Sequence, residues 1–196
     1  KGVRSIKWSP DGKSISFLKN DDDTENEIKS KENKTDVILV DKNFKYSHIY
    51  TYSLVEDTVT QITKGNFSVN SYDYSPEGNK IVFSHQDDTN INTGFVNSDI
   101  SVIESDGSNL KRLIKRPGID SSPIFSGDKN KFAFISSGGK QESIGLRDVY
   151  IFNLKDNSIK KLSNTPNRDS NIISWSSDNK TLIITENVKT TSQLIL

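Results

Sequence analysis

The sequence predicts an all-β fold: a partial β-propeller of about four four-stranded antiparallel blades, the last blade incomplete. Three observations carry this reading. A ten-residue unit occurs at residues 8–17, 74–83, 125–134 and 175–184, and each copy reads as a strand, a tight reversal and a second strand. Two further strand candidates follow each of the first three copies, and one follows the fourth. The spacing is regular, with 51 residues from Ser75 to Ser126 and 50 from Ser126 to Ser176. Short strands recurring in fours at about 40–50 residues are the signature of propeller blades. A β-sandwich also strings short strands together, but it need not repeat one aromatic-Ser-Pro-acid-Gly turn at a fixed interval.

The first copy shows why the unit is a hairpin. In Trp8-Ser9-Pro10-Asp11-Gly12, Pro10 presets φ near about −65° and Gly12 tolerates positive φ, so the chain reverses. Ile15 and Phe17 then alternate with Ser14 and Ser16, the period of a half-buried strand. A longer gap of 66 residues separates Ser9 from Ser75, and an insertion at 19–47 accounts for it. The insertion opens with the acidic run 21–27 and turns basic at Lys29, Lys31 and Lys34; it reads as an acidic, mobile tip. Val37-Ile38-Leu39-Val40 is apolar enough to be an extra strand. Strand candidates at 48–52 and 59–63 complete this unit across Glu56-Asp57.

The second unit adds 99–103 and 110–113 around the turn Ser105-Asp106-Gly107-Ser108, and the third adds 148–152 and 158–162 around Lys155-Asp156-Asn157. The fourth offers 192–196. The chain is thus expected to be a single arc, 1–196, with blades at about 1–66, 67–117, 118–168 and 169–196. No stretch of helical length has a 3.6-residue period, so helix content is expected near zero. Trp8, Tyr74, Phe125 and Trp175 should be equivalent on the innermost strands, and Phe17, Phe83, Phe134 and Ile184 on the second strands. Burial of each aromatic between blades stabilises by about 2–3 kcal/mol.

Composition excludes several classes of function. The 26 basic and 26 acidic residues balance, which argues against a nucleic-acid or anionic-membrane surface. No apolar run approaches the roughly 18 residues of a membrane span, and no signal-like segment opens the chain. There is no cysteine, which fits a reducing compartment, and a cytoplasmic location is expected. There is also no methionine, so Lys1 reads as a processed start or an internal cut. Three units have four strands, the last lacks its outer one, and no spare strand precedes the first; the expectation is an arc cut from a larger ring, with open blade faces that invite association.

A search for chemistry assigns no catalytic, cofactor-binding or metal-ligating residue, and no cofactor is expected. His48 and His85 are the two histidines; without cysteine or an H-x-x-x-H spacing they read as surface or strand-end residues. No G-x-S-x-G elbow is present, and Gly138-Gly139 lacks the lysine of a phosphate loop. The acidic run lacks the D-x-D-x-D-G order of a calcium loop. Asp99 and Asp148 open third strands, and Asp120 and Asp169 precede innermost strands. Their recurrence suggests a structural task, hydrogen bonding to backbone N–H groups of neighbouring turns.

With these repeats placed, Trp8-Ser-Pro-Asp-Gly through Phe17, then the third strand, then Thr60-Gln61-Ile62-Thr63, resembles the propeller repeat of prolyl-oligopeptidase-family serine peptidases. The acylaminoacyl-peptidase and dipeptidyl-peptidase branch is the nearest, because it often carries a long insertion in one blade followed by a segment like Ser47-His48-Ile49-Tyr50. Ser126-Gly127 and Ser177-Asp178-Asn179 depart from the family's Ser-Pro turn. The resemblance implies a non-catalytic ring that caps an α/β-hydrolase domain of the same parent chain and admits only short or unfolded peptide substrates. The same repeat is shared with TolB and other periplasmic propellers. The alternative is therefore a TolB-like protein–protein interaction propeller without a hydrolase, periplasmic or extracellular; a lone carbohydrate- or ligand-binding propeller is a third reading.

Overall fold

A computed structural model describes residues 2–35, 37, 45–142 and 145–196. The four reversals are closed by serine. Ser9, Ser75, Ser126 and Ser176 each donate the backbone N–H to a carbonyl five residues on, at 2.8–3.0 Å. The hydroxyls of Ser9, Ser75 and Ser176 also accept the returning backbone N–H, from Ser14, Lys80 and Thr181. The backbone bond is the same whether the next residue is Pro10, Gly127 or Ser177, so the reversal does not depend on the proline. The turn needs a left-handed residue three positions after the serine. Gly12 and Gly78 supply it with φ of 70° and 74°, and Lys129 and Asn179 are held there at 56° and 59°.

Each hairpin extends into an antiparallel sheet in sequence order. The first sheet is β1 (Arg4–Trp8), β2 (Ser14–Asn20), β3 (Ser47–Ser53) and β4 (Thr58–Gln61), with α1 (Glu25–Glu32) between β2 and β3. The second is β5 (Ser68–Tyr74), β6 (Lys80–Gln86), β7 (Asp99–Glu104) and β8 (Lys111–Ile114), with α2 (Ile91–Val96) between β6 and β7. The third is β9 (Asp120–Phe125), β10 (Lys131–Ser136), β11 (Asp148–Asn153) and β12 (Ile159–Lys161). The fourth has three strands, β13 (Asn171–Trp175), β14 (Leu182–Val188) and β15 (Thr191–Ile195). Even the irregularity repeats: the register slips by one residue between first and second strand in every sheet. Pro123 falls within that bulge in the third sheet, where its missing N–H costs no ladder bond.

The sheets stack as blades, and three apolar seams fill the gaps between them. Because side chains alternate along a strand, each second strand serves two seams. Ile81 and Phe83 face the first blade and meet Leu18 and Ile49. Val82 between them faces the third blade, where Phe132, Phe134 and Phe152 close on it. Ala133 and Ile135 face the fourth blade and meet Leu182 and Ile184. Each seam therefore joins a face of large side chains, aromatic in part, to a smaller aliphatic one.

The structure corrects four expectations. Among the described residues, two short helices are present. The acidic tip is in part the start of α1, where the Thr24 hydroxyl accepts from the Glu27 N–H and the Glu27 carboxylate accepts from the Thr24 N–H. Trp8 is equivalent to Tyr74, Phe125 and Trp175 in position but not in burial: it is 61% exposed, because among the described residues no sheet covers that side of the first blade. His48 and His85, expected at the surface or at strand ends, lie within β3 and β6 and are both buried. The extra strand expected at Val37-Ile38-Leu39-Val40 falls largely outside the described residues.

Candidate functional site

In an up-and-down blade the first strand starts, the second ends and the third starts at one end of the sheet. That end collects the buried ionisable side chains: His48, His85, Asp99, Asp120, Asp148 and Glu186. It also carries α1, α2, residues 137–142 and the links between blades. The opposite end holds the short serine turns.

Two arginines in or beside the links set the pattern. Arg116 gives Asp120 two hydrogen bonds, at 3.0 Å and 2.8 Å, and a third at 2.8 Å to Ser136 Oγ. Its guanidinium lies over the rings of Phe134 and Tyr150. Arg168 grips Asp148 in the same two-pronged way at 2.8 Å and 2.7 Å, and Lys161 Nζ adds a bond at 2.7 Å. Arg168 above all, with Lys161, holds the Asp148 carboxyl at about 2. These carboxylates were expected to bond backbone N–H groups of turns. They meet guanidinium groups instead, because a fork of planar donors matches a carboxylate that the strand has taken out of water. The turn aspartates do the backbone work: Asp11, Asp106, Asp128, Asp156 and Asp178 each accept a main-chain N–H two residues on.

Glu186 fastens the last link. It accepts from the N–H groups of Asn167 and Asp169 and from the hydroxyls of Thr165 and Ser170. Burial alone would raise its pKa, but these four donors outweigh it and hold the group below the usual glutamate value.

Between the first two blades the end is aromatic. The Phe67 ring stands edge-on to His48, with centroids 5.5 Å apart, and 5.0 Å from His85. His48 Nδ1 meets Thr63 Oγ1 at 3.2 Å, and that hydroxyl also takes the Ile49 N–H. His85 Nε2 meets Ser101 Oγ at 2.8 Å, and His85 Nδ1 lies 3.5 Å from Asp87. A cavity of about 240 Å³ adjoins them, lined by Phe67, Phe83, Leu110 and Arg112 as well as His85 and Ser101.

Serine, histidine and aspartate in that connectivity invite comparison with a nucleophilic triad, although no motif marks one. A triad needs an imidazole able to take a proton near neutral pH. Burial first, and Arg112 second, hold His85 down at about 4. Arg112 also claims both oxygens of Asp87, at 2.9 Å and 2.5 Å, so the carboxylate is not free to support an imidazolium. His85 and Ser101 form a buried polar pair, with Asp87 exposed beside it. Among the described residues, no group of three His, Asp or Glu side chains is placed to hold a metal ion.

Comparison with known proteins agrees with the repeat. No protein-family model matches the chain. Dipeptidyl-peptidase 5 of Arthroderma otae is 26% identical over 134 residues, which is 63% of this chain. The chain spans only 18% of the length of the curated relatives it matches. Among solved structures, TolB from Acinetobacter baumannii superposes with a TM-score of 0.67 at 19% identity, covering 98% of this chain and 40% of that one. Dipeptidyl peptidase 4 of Porphyromonas gingivalis superposes with a TM-score of 0.56 at 14% identity, covering 94% of this chain and 29% of that one. The structural likenesses establish the fold, and the sequence likeness is to dipeptidyl-peptidases. The chain is a partial β-propeller of the kind found in prolyl-oligopeptidase-family peptidases, with sequence relatives among the dipeptidyl-peptidases.

Proposed function

We propose that this chain is the non-catalytic, substrate-gating and scaffolding part of a serine peptidase of the dipeptidyl-peptidase type. The observation that carries the reading is the sequence match to dipeptidyl-peptidase 5 across 134 residues of blade repeat. The physical mechanism is steric. Blades locked face to face by apolar seams, and pinned at one end by Arg116–Asp120 and Arg168–Asp148, make a stiff wall beside which an extended peptide passes and a folded domain does not. The partner is an α/β-hydrolase domain of the same polypeptide, and the hydrolase supplies the nucleophile. TolB shares the fold at 19% identity, so an interaction propeller without a hydrolase is the second reading.

Two measurements test this. The purified chain should release no chromophore from dipeptidyl or acyl-aminoacyl substrates, and turnover that copurifies with it through stringent steps contradicts a non-catalytic role. The polypeptide that carries this chain should cleave a short peptide and spare the same sequence fused to a tightly folded protein. Equal cleavage of both contradicts gating.

A further inference from the structure

Strand register builds the same aromatic stack in two blades. In the first, Phe17 of β2 lies opposite Tyr50 of β3, which lies opposite Gln61 of β4. In the third, Phe134, Tyr150 and Lys161 hold the same three places. The tyrosine ring rests against the phenylalanine in both, with centroids 6.0 Å and 5.7 Å apart. A cation stands 5.4 Å over each tyrosine ring, Lys19 in the first blade and Arg116 in the third. In the second blade the register puts Phe83, Ser101 and Arg112 in these places. A phenylalanine and a cation are present there, and the ring between them is missing.

The missing ring accounts for the cavity of about 240 Å³ beside Phe83, Ser101 and Arg112. An apolar cavity of about 150 Å³ is enough to hold benzene. The walls suit a flat group: the Phe67 and Phe83 rings are within 20° of parallel, and Leu110, half exposed, leaves a way in. We propose that this cavity binds a phenol, free or as the side chain of a tyrosine in a peptide, with its ring seated as Tyr50 and Tyr150 are in the neighbouring blades. A neutral ligand fits best. Arg112 is already matched by Asp87 and Asp99, so an anion would have to displace a carboxylate and a cation would face the guanidinium. The hydroxyl has partners. Ser101 Oγ lines the cavity, and so does His85, whose buried Nδ1 makes no hydrogen bond among the described residues. A buried polar atom left in that state is costly, and a phenol O–H can meet it. The site lies inside a seam and does not depend on the gating role.

The probes are p-cresol, which is the tyrosine side chain alone, and N-acetyl-tyrosinamide. Each is titrated by calorimetry into the polypeptide that carries this chain. Ser101→Tyr installs the ring that the first and third blades carry, so it should fill the cavity without lowering the melting temperature. The expected result is saturable p-cresol binding, weakened about tenfold or more in Ser101→Tyr. Parallel binding of N-acetyl-tyrosinamide assigns the site to a peptide tyrosine, and p-cresol binding alone assigns it to a free phenol; either supports the proposal. A crystal soaked in p-cresol tests the seat without any variant, and its ring should lie between Phe83 and Arg112. No saturable binding of either probe overturns the proposal. So does binding that Ser101→Tyr leaves unchanged, or a soaked crystal with no ring at that place.

Discussion

Lys7 reaches Asp73 across the first seam, Nζ to Oδ1 at 2.7 Å, while the other oxygen of Asp73 accepts the Phe125 N–H at 3.0 Å. One carboxylate on an innermost strand therefore ties three blades together. Asp73→Ala should lower stability by about 1–2 kcal/mol, the range of charge-assisted bonds discounted for a half-exposed lysine. Asp73→Asn should recover part of the loss, because an amide oxygen still accepts from Phe125. Urea unfolding of the three proteins checks this, and equal midpoints for parent and Asp73→Ala would show that the bridge carries no weight.

The buried histidines make stability depend on pH. Burial lowers the folded-state pKa of both, and His85 falls from 6.5 to about 4. Between those values the unfolded chain binds more protons than the folded one, so stability rises with pH through the window from about 4 to 6.5. His85 contributes about 3 kcal/mol to that rise. In His85→Gln, the slope of unfolding free energy between pH 4.5 and 6.5 should flatten markedly. An unchanged slope would mean that His85 titrates normally.

Two tryptophans in equivalent positions should respond differently. Trp175 packs into the third seam and donates to Ile124, so Trp175→Ala should cost about 3 kcal/mol. In the single arc, Trp8→Ala should change stability by less than about 0.5 kcal/mol, as at other exposed sites. Thermal melts at low protein concentration make the comparison, and equal losses would place Trp8 in a core that the single arc does not have.

Lys129 occupies a left-handed position that Gly12 and Gly78 fill in the first two turns. Lys129→Gly should stabilise by about 1 kcal/mol through relief of that strain, less the small worth of the exposed Lys129–Glu77 pair. A fall in melting temperature would show that the ion pair outweighs the backbone.

What was legible in the sequence follows the range of the interactions. The hairpins could be read because Ser9, Pro10, Asp11 and Gly12 act on their own backbone, and because Ile15 and Phe17 alternate with serines. The seam faces could be read in part, since the same alternation sorts side chains to two sides, but burial of Trp8 depended on a neighbouring sheet that no local pattern reports. Helix α1 carried a readable signal, Thr24 three residues before Glu27. It has no apolar stripe, and Ile28 alone is too little to show a period. The polar end was hidden for a different reason: Arg168 meets Asp148 from 20 residues away, and Ser101 meets His85 from the adjacent strand, so those pairings exist only once the strands have paired into sheets.

The account stands on radial repetition of equivalent blades, and distances between equivalent turns test it most directly. The chain has no native cysteine, so spin labels can be placed in pairs through Lys13→Cys, Asn79→Cys, Asn130→Cys and Lys180→Cys, diluted with unlabelled chain. The predicted result is three narrow and nearly equal distances for the successive pairs 13/79, 79/130 and 130/180. Unequal steps, with one pair close and the next far as in two stacked sheets, would contradict it.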